Sequence, residues 1–250
     1  MTPVRVTSPI AALLLLSGPS AWAQDADQGA ATQTVSVTTR VSVTETLTNN
    51  VALSSTNAKS DQVTEVSPGI HLNINGARLK TYLDYSLTHV DYAQGSASNH
   101  NQNALNTFGT LEAVDNWAFL DFSGNISQQT ISAFGTQSTD NTAVNANRTE
   151  VATYNLSPYV KGRLGDAANY EARFTRSVSS SDSAAVSNTA TSNSVVKVSN
   201  ASAYRSLGWT ADLSRQQASY TKPELAGLLD LAHSLSFGLD NETEDVKKRI

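Results

Sequence analysis

The sequence predicts an all-β fold, an antiparallel up-and-down transmembrane β-barrel of about 10 strands. Three observations carry that expectation: stretches with a period of two, connections that alternate long and short, and an export segment ahead of both. The period is clearest from Ser67 to Tyr92. Val66, Ile70, Leu72 and Ile74 share one phase against His71, Asn73 and Asn75, and then Leu79, Leu83, Tyr85 and Leu87 share one against Lys80, Asp84, Ser86 and Thr88. Successive side chains of a strand leave opposite sides of the pleat, so such a hairpin has one apolar and one polar face. Asn75-Gly76 between the runs is a dipeptide that takes positive φ at low cost and closes hairpins.

The chain opens with an export signal. Arg5 gives a cationic start, Val6 to Leu16 an apolar run, and Ala21-Trp22-Ala23 a cleavage signature, so residues 1–23 read as a signal peptide. A helical anchor would need about 20 apolar residues, and Pro9 interrupts this shorter run. Residues 24–33 read as a flexible leader, 34–240 as the barrel and 241–250 as a charged tail.

The strands follow in order. Thr34–Leu47 carries Val35, Val37, Val41 and Val43 in phase, and a polar connection leads to Gln62–Ile74. After the Asn75-Gly76-Ala77 turn comes Arg78–Tyr92, then the linker 93–101 and Asn103–Ala113. Val114-Asp115-Asn116 turns the chain into Trp117–Ile126, with Ala118, Leu120, Phe122 and Ile126 in phase. A long loop, 127–147, precedes Thr149–Gly162, where Pro158 removes a ladder donor and predicts a local irregularity. A short turn holding Gly165-Asp166 leads to Tyr170–Val178, and the serine-rich loop 179–193 to Val195–Ser206. Leu207-Gly208 reads as a tight turn before Trp209–Tyr220. Leu231–Leu239 reads as the last strand, with a short helix over Pro223–His233 as the alternative.

The connections thus run long, short, long, short along the chain. Tight turns at one end and long loops at the other mark outer-membrane barrels. Tyr92, Trp117, Tyr170 and Trp209 fall near strand ends, where aromatic girdles sit at membrane interfaces. The polar phase carries Lys80, Asp84, Asp121, Lys161, Glu171, Arg173 and Asp212, which a barrel would turn toward a water-filled lumen. On the lipid side each would cost roughly 2–4 kcal/mol near the midplane.

Composition agrees. Only 16% of residues are charged, well below an ordinary soluble surface, and Ser, Thr and Asn take their place. Cysteine is absent, which excludes a disulfide framework, and the net charge of −5 without basic blocks argues against nucleic acid as a partner. His71, His89, His100 and His233 lack the spacing of a metal site, and no hydrolase, metalloprotease or nucleotide-binding motif occurs. The expectation is therefore a non-enzyme without cofactor or metal. It lies in the outer membrane after cleavage near Ala23, with lipid as its first partner. A secreted or surface-attached β-sandwich adhesin without a pore is the alternative that similar composition allows.

Thr48-Asn49-Asn50-Val51, Ser67-Pro68-Gly69 and Leu83-Asp84-Tyr85, with the later Leu207-Gly208-Trp209 and Ser214-Arg215, resemble a Gram-negative outer-membrane β-barrel family. That family is associated with PEP-CTERM/exosortase and exopolysaccharide gene clusters. The resemblance implies a porin-like pore or an export-associated channel, with polysaccharide or export machinery as further partners, and no catalytic residues. Members of the family are longer and end on an aromatic-terminated strand, whereas this chain ends Lys247-Lys248-Arg249-Ile250. The expectation is a truncated chain, holding either a small closed barrel or the first part of a larger one.

Overall fold

The computed structural model describes residues 34–138, 140–144, 147–183, 185–200, 208–220 and 230–240, of which 208, 230–233 and 237–240 by backbone alone. The expected signal peptide, leader and charged tail lie outside the described residues. The described residues form ten strands: β1 (Thr34–Thr48), β2 (Asp61–Asn75), β3 (Leu79–Tyr92), β4 (His100–Val114), β5 (Ala118–Thr130), β6 (Arg148–Leu164), β7 (Ala168–Ser181), β8 (Thr189–Asn200), β9 (Gly208–Tyr220) and β10 (Asp230–Asp240). They lie in sequence order in one antiparallel up-and-down sheet, and no helix occurs among the described residues. The sheet is open, since β1 and β10 each have one neighbour. The chain forms two compact units. One comprises Met1–Phe108, Gly124–Thr153 and Ser181–Val186, the other Gly109–Ser123, Tyr154–Ser180 and Ser187–Ile250.

Register joins like with like. Val35, Val37 and Val43 of β1 stand opposite Ile74, Leu72 and Val66 of β2. Leu72 and Ile70 in turn face Leu83 and Tyr85 of β3. On the other side of the same strands His71 faces Asp84 and Asn73 faces Tyr82. The pattern repeats in the second unit. There Val196 and Val198 of β8 face Leu213 and Ala211 of β9, which face Leu235 and Phe237 of β10. A slip of one residue would exchange the two faces wholesale, so this alternation is what fixes the pairing.

Several local expectations give way. The β2–β3 hairpin reverses with Gly76 N–H donating to the Leu79 carbonyl at 2.8 Å, and Gly76 is not in the left-handed region. That conformation is used at Asn116 (φ 55) and Gly165 (φ 56), in the turns closed by Trp117 N–H to Val114 and Ala167 N–H to Leu164. Pro158 lies within β6, which runs from Arg148 to Leu164. Pro68 leaves a mark: the β2–β3 pairing lapses at Ser67–Pro68 and resumes in the same register at Gly69↔Ser86. With no N–H to give β3, the gap is bridged by Ser67 Oγ and Thr88 Oγ1 at 2.8 Å.

Strand ends also shift. The expected loop 179–193 is shorter than predicted, since Ser179 and residues 189–193 are paired, as in Ser179↔Thr189 and Ser177↔Thr191; the ladder continues past the apolar stretch that marks it in sequence. β8 stops at Asn200, whose side chain accepts the Trp209 N–H at 3.1 Å. Gly208 opens β9, and Leu207 of the expected Leu207-Gly208 turn lies, with the rest of 201–207, outside the described residues. β10 is a strand from Asp230, which excludes the helical alternative for residues 230–233.

The core is small and sits at the long-connection end of the first unit. Val63 and Val90 are fully buried and Val51 and Tyr92 nearly so, with Ala97 and Val144 packed against them. Val63 faces Tyr92 across β2–β3, in the phase that elsewhere carries His71 and Asp84. The polar face thus turns apolar at this one end. The loop 131–147 folds onto it, with Val144 N–H donating to the Val51 carbonyl at 2.9 Å and Tyr92 OH to the Thr142 carbonyl at 2.8 Å.

Candidate functional site: the polar face of the sheet

In the first unit, Arg40 reaches from β1 across β2 to Asp84 on β3. Its two terminal nitrogens donate to the two carboxylate oxygens at 2.9 and 2.6 Å, the fork geometry that strengthens such pairs. Gly69, opposite Arg40 in register, makes the crossing possible, since a Cβ there would lie 3.0 Å from Arg40 Nε. His71 Nδ1 stands 3.4 Å from Asp84, and its ring meets Tyr82 edge-on at 4.9 Å. Tyr82 stacks on Phe108 of β4 with centroids 5.3 Å apart.

The second unit carries a denser cluster. Arg173 of β7 donates through Nη1 to Asp121 of β5 at 2.8 Å and through Nε to Glu171 at 2.9 Å. Its guanidinium lies 3.8 Å over the Tyr159 ring of β6, which stacks on Phe119 at 5.0 Å. Thr110 Oγ1 donates to the second Asp121 oxygen at 2.8 Å, and buried Ser157 accepts from Arg173 while bonding Thr175. Lys161 Nζ sits 4.5 Å from the centroid of Phe119. In register, Glu171, Lys197 and Asp212 follow one another across β7, β8 and β9.

Of the seven ionisable residues expected on the polar face, Asp121, Glu171 and Arg173 form one network, with Lys161 on its aromatic edge. Asp212 lies two strands from Glu171 in the same row. Asp84 belongs to the first unit's pair, and Lys80 is exposed at the start of β3 opposite Asn75. Arg40 and Lys197 were not among the expected residues. The signal for Arg40 was its phase with Thr38 and Ser42, obscured because the valines mark β1; the signal for Lys197 was its position between Val196 and Val198.

The opposite face is apolar and bare. Val35, Val37 and Val41 are about three-fifths exposed, at 63%, 58% and 59%, and Leu156, Phe174, Val196 and Leu213 also lie open. In the first unit the apolar phase becomes polar toward the long connections. Thr64 donates to Glu45, and Tyr85 OH donates to Asn103, whose amide and that of Gln128 donate to Glu150. In the second unit, Trp117 immediately precedes β5, Tyr170 lies near the start of β7 and Trp209 near the start of β9. Trp117 Nε1–H donates to the Tyr170 hydroxyl at 3.0 Å, and Trp209 shares the phase of Ala211 and Leu213. Tyr92, expected with them, is only 5% exposed and lies in the core instead. It occupies the polar-face phase, under the 131–147 loop.

Among the described residues no three His, Cys, Asp or Glu side chains gather to hold a metal ion. No family model matches the chain, and neither a curated protein nor a solved structure matches it.

Proposed function

We propose that this chain is an outer-membrane β-barrel protein whose polar face lines an aqueous lumen, and that it serves as a pore or export-associated channel. The observation that supports this most is the bare apolar face. A soluble sheet covers its apolar side with a second layer, because each large side chain moved out of water contributes about 1.5–3 kcal/mol. Here Val37, Val41, Leu156, Val196 and Leu213 have no such cover among the described residues. Hydrocarbon would supply it. The apolar phase runs through residues 35–43 in β1, 79–87 in β3 and 152–160 in β6 before polar side chains resume, matching the roughly 9–11 residues that a tilted strand needs to cross a bilayer.

On this reading closure supplies partners for the open edges of β1 and β10, whose unpaired backbone groups hydrocarbon would not tolerate. The link to exopolysaccharide and PEP-CTERM systems is part of the proposal and rests on the sequence resemblance. A secreted β-sandwich adhesin would need a second sheet over Val196 and Leu213.

The test is expression with the leader, followed by membrane fractionation and gel migration before and after heating. Heat-shifted migration of a detergent-extracted membrane protein is the expected result, and recovery as a soluble protein without detergent would end the membrane reading. Single-channel recording after insertion then addresses the pore. A folded, inserted sample that gives no conductance step would reject it and leave the barrel standing.

A further inference from the structure

We infer that the polar face of the first unit carries a stacking site for the ring of a neutral pyranose sugar, built on Tyr82 and Phe108. This deepens the reading of that face as a lumen lining, and rests on it only in needing the face open to water. Tyr82 of β3 and Phe108 of β4 stack with centroids 5.3 Å apart and planes 14° from parallel. His71 meets Tyr82 edge-on, with 78° between the planes. Phe108 is nonetheless 56% exposed, a large aromatic ring left open beside polar side chains. The rings of the second unit are a contrast: there Arg173 lies over Tyr159 and Lys161 over Phe119, so cations occupy those faces. Among the described residues no cation lies over Tyr82 or Phe108.

The groups in line with this platform are polar and uncharged. In register, Ser36 of β1 faces Asn73 of β2, which faces Tyr82, so a hydroxyl, a carboxamide and a phenol share one row. Ser36 and Asn73 are exposed, and none of the three side chains makes a hydrogen bond among the described residues. Of the nearby ions, Arg40 and Asp84 pair with each other, and Lys80 stands one pleat toward the turn, opposite Asn75. A pyranose ring suits such a row. Its slightly positive C–H groups pack on the negative face of an aromatic ring, while its hydroxyls project sideways to donors and acceptors at the edge. An inorganic ion finds no charge in the row, and a purely apolar ligand gains nothing from Asn73 and Ser36. The inference requires no open pore and no closed barrel, only the β1–β4 face.

The full chain, folded in detergent, is titrated with methyl β-D-glucopyranoside and followed by saturation-transfer NMR on the sugar protons. Sorbitol, an open-chain polyol, serves as the control without a ring. Saturable transfer, strongest at the ring C–H protons, is expected for the glucoside and none for sorbitol. Phe108→Ala, at an exposed position, should weaken binding about tenfold through the lost aromatic contact. Phe108→Leu keeps apolar bulk without a ring face and should recover little, and Asn73→Ala should weaken binding by a smaller factor. Phe134→Ala removes a wholly exposed phenylalanine outside the platform and should leave binding unchanged. Circular dichroism and thermal unfolding confirm that each variant is folded. Equal transfer to sorbitol, transfer no greater than from detergent alone, or unchanged binding in folded Phe108→Leu overturns the site. None of these results bears on the fractionation test, so the membrane reading stands or falls separately.

Discussion

Trp117 Nε1–H donates to the Tyr170 hydroxyl at 3.0 Å, tying the start of β5 to β7 across the intervening strand. The bridge passes over Gly162, where a Cβ would come within 2.8 Å of the Tyr170 oxygen. The glycine is thus a seat for the tyrosine ring. Tyr170→Phe should lower stability by about 0.5–1.5 kcal/mol through the lost hydrogen bond. Gly162→Ala should cost at least as much, because the ring can move aside only by releasing Trp117. The two changes act on one interaction, so the double variant should cost less than their sum. Denaturant unfolding followed by tryptophan emission measures all three, and simple additivity would show that glycine and bridge are independent.

Much of this arrangement was legible in the sequence, for a physical reason. A strand with polar side chains on one side and apolar ones on the other writes its orientation as a period of two, so the phases of Leu72, Leu83 and Leu120 could be read directly. The same code failed at strand ends. Ser177 and Ser179 pair with Thr191 and Thr189 without apolar marking, and Val63, Val90 and Tyr92 occupy the polar phase because a loop from far along the chain covers them. Contacts such as Arg40 with Asp84 skip a strand, and local patterning carries no signal for which charges meet that way.

Arg173 should be the most costly single charge to remove. It bonds the carboxylates of both Asp121 and Glu171, which are partly shielded from water, and its loss leaves each without that cation. Arg173→Met is expected to destabilise by about 1–3 kcal/mol. Arg173→Lys should recover only part, since an ammonium lacks the fork that serves both acids. Neutralising the pair, as Asp121→Asn with Glu171→Gln in the Met background, should restore most of the stability. Equilibrium unfolding of the four proteins decides it, and no recovery on neutralisation would mean that packing on Tyr159 matters more than charge.

The 131–147 loop should depend on the small core beneath it. Val63→Ala opens a cavity at a fully buried site and should cost about 1–3 kcal/mol. Tyr92→Phe removes the donor to the Thr142 carbonyl and should cost about 1 kcal/mol. Both effects fall on the loop more than on the sheet, because Val51, Val144 and Thr142 lose their support. Limited proteolysis should therefore cut the variants faster within 131–147 at unchanged strand content by circular dichroism. Equal cleavage rates in variants and wild type would show that the loop holds by its own hydrogen bonds.

Val37 and Thr38 separate lipid from water most directly. Both are exposed on β1, in adjacent positions, pointing to opposite faces of the sheet. Were both faces in water, lysine at either position would change stability by no more than about 0.5 kcal/mol, as surface substitutions do. If the valine face meets hydrocarbon, Val37→Lys should cost about 2–4 kcal/mol near the bilayer midplane, while Thr38→Lys, beside His71 on the polar face, stays close to neutral. The exposure of the two sites cannot produce that difference; only the identity of the surrounding medium can. Unfolding from lipid vesicles, read by heat-shifted gel migration across a urea series, measures both costs on one scale. Equal effects would remove the membrane reading, and a loss confined to Val37→Lys would place the valine face in the bilayer.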